Sequence, residues 1–247
     1  MRGGAIRLFS VAGIAVYLHF TWFVIAAFEV TSVAKRYSNP IWGVFEYLAL
    51  FAIVLLHEFG HAFACRSTGG EVDRIVLWPL GGLAFVRPPP RASAQLWSIA
   101  AGPLVNVVLF PALFAVLVAL ARLRMGLHSD ALQFSGSLFT INGVMLIFNL
   151  LPLYPLDGGQ ILRSLLWFRL GPIRSLEIAS GVGLAGAIAL GIYALYRSSI
   201  WAGILSFFLL SQAAAGWQHA KTMRVDEDVA CKPAPDDPRL HAPSSER

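Results

Sequence analysis

In this chain of 247 residues, 57% are hydrophobic and only 13% are charged. Soluble domains carry roughly 25% charged residues, so a soluble fold is excluded, and the mean hydropathy of +0.65 agrees. The net charge of +5 calls for no nucleic-acid partner, because basic loops beside anionic lipid account for it.

Apolar runs near the ~20 residues that span a bilayer lie at 10–30, 42–66, 95–121, 136–156, 174–196 and 199–217. They predict an all-α polytopic membrane protein with six transmembrane helices over residues 1–217. With the N-terminus in the cytoplasm, 14 of the 19 Lys and Arg residues fall on cytoplasmic segments, the bias of the positive-inside rule. Both termini are therefore expected in the cytoplasm. Ser32-Val33-Ala34 loosely resembles a signal-peptidase site, but the first run is longer than the ~7–15 residues of a signal h-region, and it is expected to stay. Cys65 and Cys231 both fall on the reducing side, so no disulfide is expected.

The second run carries His57-Glu58-Phe59-Gly60-His61. This spacing places the two imidazoles one turn and about 40° apart on a helix, where they can share one Zn²⁺ while Glu58 handles a proton. Ionisable groups at membrane depth are expensive and mark function. Without a metal, two imidazoles and a carboxylate would bury donors and acceptors at several kcal/mol each.

Between the second and third runs, Val72 to Val86 holds two short β-prone stretches around Pro79 and Gly81-Gly82, which read as a small membrane-associated β-hairpin. An exposed edge of it would pair with an unwound substrate strand, or the hairpin only plugs the vestibule. Asn106 and Asn142 are read as helix-packing or loop-supporting residues, and His19 as an anchor or support.

A catalytic zinc needs a third protein ligand. Glu46 shares the His57 face but lies about 16 Å away along the axis; Glu177 suits a helix N-terminus, and Cys65 has the right face at the wrong depth. Asp157 is the best candidate. Pro152 and Pro155 break the fourth run near its inner end, and unwound backbone at that depth is tolerated only where it is buried by protein or lines a cavity. Asp-Gly as an ordinary turn, or Asp157 as the cap of a helix over 160–170, is the alternative. The fifth run is rich in Gly and Ala, which favours close helix packing. Residues 218–247, with Asp226-Glu227-Asp228, Pro233, Pro235 and Pro238, are expected as a polar, disordered cytoplasmic tail.

HEFGH, the Asn149–Gly159 segment, Ala100-Ala-Gly-Pro-Leu-Val-Asn106, Leu18-His-Phe-Thr-Trp22 and Trp78-Pro-Leu-Gly-Gly-Leu-Ala84 together resemble the site-2 protease family of intramembrane zinc metalloproteases. The resemblance covers about 10–217 and implies His57, His61 and Asp157 as zinc ligands with Glu58 as catalytic acid/base. It also implies Asn149 as the residue that binds the substrate carbonyl or oxyanion; an interhelical hydrogen bond is the other reading of Asn149. The chain looks like a short form without PDZ or CBS domains. The implied activity is an intramembrane zinc endopeptidase, in which zinc activates a water to cut transmembrane protein substrates such as a membrane-bound anti-sigma factor or pro-protein. Three other readings compete. A catalytically silent membrane adaptor is opposed by the intact Glu58. A prenyl-protein-type membrane zinc protease lacks its glutamate motif here, and a transporter would need polar residues in the outer leaflet.

Overall fold

The computed structural model describes residues 4–24, 26, 36–78, 81–123 and 129–230. Over these residues the chain runs β1 (Ala5–Val11), β2 (Ile14–His19), α1 (Ile41–Ser67), β3 (Glu71–Trp78), β4 (Gly81–Arg87), α2 (Ala92–Arg122), α3 (Asp130–Leu150), α4 (Asp157–Tyr196) and α5 (Ile200–Ala230).

The first expected helix needs correction. Ile14, Val16 and Leu18 are buried while Ala15 and Tyr17 are part-exposed, which is the period of two of a strand. A two-residue turn at Ala12 and Gly13, both with positive φ (49° and 76°), closes β1 onto β2 as a tight hairpin. Helical conformation begins only at Thr21–Val24, and most of the rest of that expected span lies outside the described residues. Among the described residues, five helices are long and apolar enough to cross a membrane, against the six expected.

The expected second hairpin is present as β3 and β4, paired antiparallel. It is half of a larger sheet, ordered β1-β2-β3-β4, because β2 pairs parallel with β3. One face of the sheet is apolar: Ile14, Val16, Ile75 and Leu77 are fully buried against Val54, Phe59 and Ala62 of α1. The sheet thus sits on the half of α1 that carries HEFGH.

Small residues set the helix contacts. A Cβ on Gly60 would lie 2.6 Å from the Ala101 carbonyl oxygen, so α1 and α2 meet backbone to backbone. Asp130, opening α3, accepts the N–H groups of Ser38 and Asn39 at 2.8 and 3.1 Å, which ties the starts of α1 and α3 together. The 40 residues of α4 are two helices joined at Gly171, whose φ of 78° and ψ of 173° break the spiral before Pro172. Gly159 and Gly183 both abut the backbone of Tyr154. A straight helix would hold them about 36 Å apart, so α4 doubles back at Gly171.

Residues 218–230, expected to open a disordered tail, continue α5 to Ala230. Ala220 is fully buried, and Arg224 pairs with Glu177 of α4 at 2.5 Å, which holds this polar stretch in place. Residues 231–247, with Cys231, lie outside the described residues.

Candidate metal centre

Three side chains from two elements converge below the sheet. His57 and His61 are buried on α1, and Asp157, the first residue of α4, is only 13% exposed. His57 Nε2 lies 3.1 Å from His61 Nε2 and 3.0 Å from Asp157 Oδ2. His61 Nε2 lies 3.5 Å from the same carboxylate oxygen. Tetrahedral zinc with bonds near 2.0–2.1 Å has ligand-to-ligand edges of about 3.3 Å, so the donor set fits that ion. Among the described residues, this is the group of His, Cys, Asp and Glu side chains that could hold a metal.

The rings are aimed by their far nitrogens. His57 Nδ1–H donates to Asn106 Oδ1 at 2.6 Å, and His61 Nδ1–H donates to the Ser98 carbonyl at 2.9 Å. Each bond leaves the Nε2 lone pair facing the common point. Asn106 is itself clamped: its Nδ2 donates to Asn142 Oδ1 at 2.8 Å, and Asn142 Nδ2 donates back to the Asn106 carbonyl at 3.0 Å. Both asparagines are fully buried. Their readings as packing or support residues therefore take a specific form, a relay from α3 through α2 to a histidine on α1. Sequence reasoning did not reach Ser98 or Gly102. A Cβ on Gly102 would stand 2.2 Å from His61 Nε2, so the glycine beside Pro103 makes room for the imidazole.

Asp157 is delivered as the two prolines require. Helix α3 stops at Leu150, residues 151–156 are irregular, and the Tyr154–Pro155 bond is cis. Asp157 is the first helical residue and Leu156 holds the N-cap position; the Asp157 carboxylate turns to the histidines. Glycines enclose the irregular segment. A Cβ on Gly158 would meet the Leu150 and Leu151 carbonyl oxygens at 2.4 Å; one on Gly159, the Tyr154 nitrogen at 2.3 Å; one on Gly183, the Tyr154 oxygen at 2.4 Å; and one on Gly216, the Tyr154 ring at 2.7 Å. In the fifth run Gly183 and Gly186 thus pack on the Asp157-bearing segment, while Gly181 and Gly191 meet Trp217 and Ser206 of α5; the unwound backbone is buried by protein as required.

Glu58, next to His57 and buried, accepts the backbone N–H of Ala84 at 3.0 Å. That N–H points away from β3, so Ile75 and Ala84 form a non-hydrogen-bonded pair of the ladder and the free edge of β4 faces the centre. Asn149, in the last turn of α3, is half-buried and forms no hydrogen bond among the described residues. His19 stacks on Trp78 at 4.0 Å and contacts Thr21 Oγ1 at 2.7 Å, a structural place at the end of β2. Cys65 is fully buried with Sγ near the Glu71 carbonyl, and Glu46 is bonded to Tyr37 at the far end of α1. Neither joins the metal group.

The family model for peptidase family M50 matches residues 45–129 and 124–190. A zinc metalloprotease of Methanocaldococcus jannaschii is 30% identical over 205 residues, 83% of this chain and 58% of that protein. Stage IV sporulation protein FB of Bacillus subtilis is 31% identical over 156 residues, 60% of this chain and 50% of that one. The chain thus spans little more than half the length of these curated relatives. The solved site-2 protease from Methanocaldococcus jannaschii is similar with a TM-score of 0.60 at 28% identity, covering 86% of this chain and 95% of that one. A matching family model, two histidines and an aspartate at zinc spacing, and five membrane-length helices lead to one statement: this chain is an integral membrane protein belonging to peptidase family M50, the site-2 protease family.

Proposed function

We propose that this protein is an intramembrane zinc endopeptidase that hydrolyses peptide bonds in or near transmembrane segments of membrane-protein substrates. The observation that carries this reading is the convergence of His57, His61 and Asp157 beside buried Glu58, within helices of membrane length. Bound there, zinc supplies Lewis acidity and makes water a competent nucleophile near neutral pH. Glu58 accepts a proton from the attacking water as its oxygen bonds to the scissile carbonyl carbon, and returns that proton to the leaving amine as the C–N bond breaks. Asn149, with its amide uncommitted, donates to the carbonyl oxygen as negative charge builds there.

A helical substrate hides its carbonyls in its own hydrogen bonds and must unwind to react. The outer edge of β4 is the acceptor for the unwound strand: strand alternation turns the N–H and C=O groups of Gly82 and the C=O of Ala84 to the same free edge, on which the Ala84 N–H is held by Glu58. The excess of Lys and Arg on the sheet-bearing side supports a cytoplasmic location for both termini, and cleavage near the cytoplasmic end of the substrate.

The test is Glu58→Gln in the full chain. This variant is expected to bind zinc at wild-type stoichiometry and to release no product from a membrane-embedded substrate. Cleavage at the wild-type rate would refute the mechanism. Loss of zinc as well would move Glu58 into the ligand set. Photocrosslinkers along residues 75–86 are expected to capture substrate in this inactive form; failure at every position would remove the strand-pairing step.

A further inference from the structure

We propose that Arg163, with Trp167, forms a binding site for the phosphate of an anionic phospholipid, on the helix that Asp157 opens. Arg163 lies on the first half of α4, half-buried. Among the described residues its guanidinium makes no hydrogen bond or ion pair, and its Nε is buried without a partner. It lies over the Trp167 ring at 5.9 Å. Five N–H donors in a fixed fork, left unpaired beside an indole, match a phosphate or carboxylate.

The position favours lipid over the reacting peptide. Arg163 is six residues past Asp157, about 9 Å along the helix and about 120° around it, while buried Ser164 takes the Asp157 side. The first half of α4 ends at Gly171, flanked by exposed Arg169 and Arg174, and it exposes Leu165, Phe168 and Leu170. Cations and a tryptophan above apolar side chains are the arrangement that meets headgroups at a membrane surface. Asp157 opens the helix that carries Arg163, so a headgroup held there also steadies the aspartate.

The binding rests only on the membrane setting; its effect on hydrolysis rests also on the function proposed above, so the two are measured apart. Native mass spectrometry of the full chain in phosphatidylcholine nanodiscs, with and without phosphatidylglycerol, reads lipid retention whether or not the protein cleaves. Wild type is expected to retain phosphatidylglycerol selectively. Arg163→Gln should lose about tenfold of that selectivity, the equivalent of one bidentate pair, with zinc content unchanged, and Arg163→Lys should keep part of it. Equal retention by Arg163→Gln would overturn the proposal. A photoreactive phosphatidylglycerol on wild type is expected to label the 154–167 region, and labelling confined elsewhere would overturn it without any variant. Activity lost by Arg163→Gln only with acidic substrates, at unchanged lipid retention, would likewise overturn it and assign Arg163 to the substrate.

Discussion

The backbone N–H of Ala84 donates to Glu58 Oε2 at 3.0 Å, so the free edge of β4 terminates on the carboxylate proposed to move the proton. One strand residue thereby fixes the base and marks the track along which a substrate strand arrives. Ala84→Pro deletes this donor while leaving the zinc ligands untouched. Turnover should fall about 10- to 100-fold, the worth of one hydrogen bond to a charged group, with zinc stoichiometry intact. Ala84→Val keeps the N–H and should retain most activity. Cleavage assays paired with metal analysis separate the two.

Asn106 is expected to tune the metal without touching it. Asn106→Ala removes the acceptor that fixes the His57 tautomer and strands Asn142, and zinc affinity should fall about 10- to 100-fold. Asn142→Ala should give a smaller loss, because Asn106 keeps its bond to His57. Competition with a chromogenic chelator measures both.

Gly102→Ala places a Cβ where the His61 ring stands. The ring must swing off the metal axis, so zinc content should drop while helical circular dichroism stays at the wild-type level. Full zinc occupancy in this variant would show that α2 yields instead.

Gly183→Ala acts from the opposite side, because its Cβ would press on the Tyr154 carbonyl oxygen. Displacing that segment moves Asp157, and cleavage should fall at least as far as for Asn106→Ala, with a lowered Tm. Gly203, where an added Cβ would meet nothing within 4 Å, should accept alanine with no change in activity and serves as the control.

Removal of metal with a chelator should abolish cleavage, and added zinc should restore it. Because the three ligand atoms already stand at zinc spacing, recovery should need no refolding and should follow zinc addition within the mixing time of a stopped assay.

Much of the centre was legible in the sequence. HEFGH has one geometry on a helix, and two prolines ahead of an acid in an apolar run make Asp157 the best candidate beside the reading of it as a turn or cap residue. The first run misled because its overall hydropathy outweighed its rhythm: Ile14, Val16 and Leu18 alternate as a strand, and the Ala12-Gly13 turn falls between two β-prone stretches. The relay from Asn142 through Asn106 to His57 was beyond reach, because it joins residues up to 85 positions apart in sequence, and nothing local announces such a contact. Residues 218–230 read as tail because their polarity hides a docking face; Ala220 and the Arg224–Glu177 pair hold that face against α4.

The glycine enclosure of Tyr154 has a consequence for synthesis. HEFGH leaves the ribosome early, while Gly216, which closes on the Tyr154 ring, belongs to the last helix. Until that helix is inserted, the segment bearing Asp157 lacks one wall and the third ligand is not fixed. On the proposed function, hydrolytic competence thus waits for that helix, and a chain not yet carrying it is spared from cutting the membrane proteins around it.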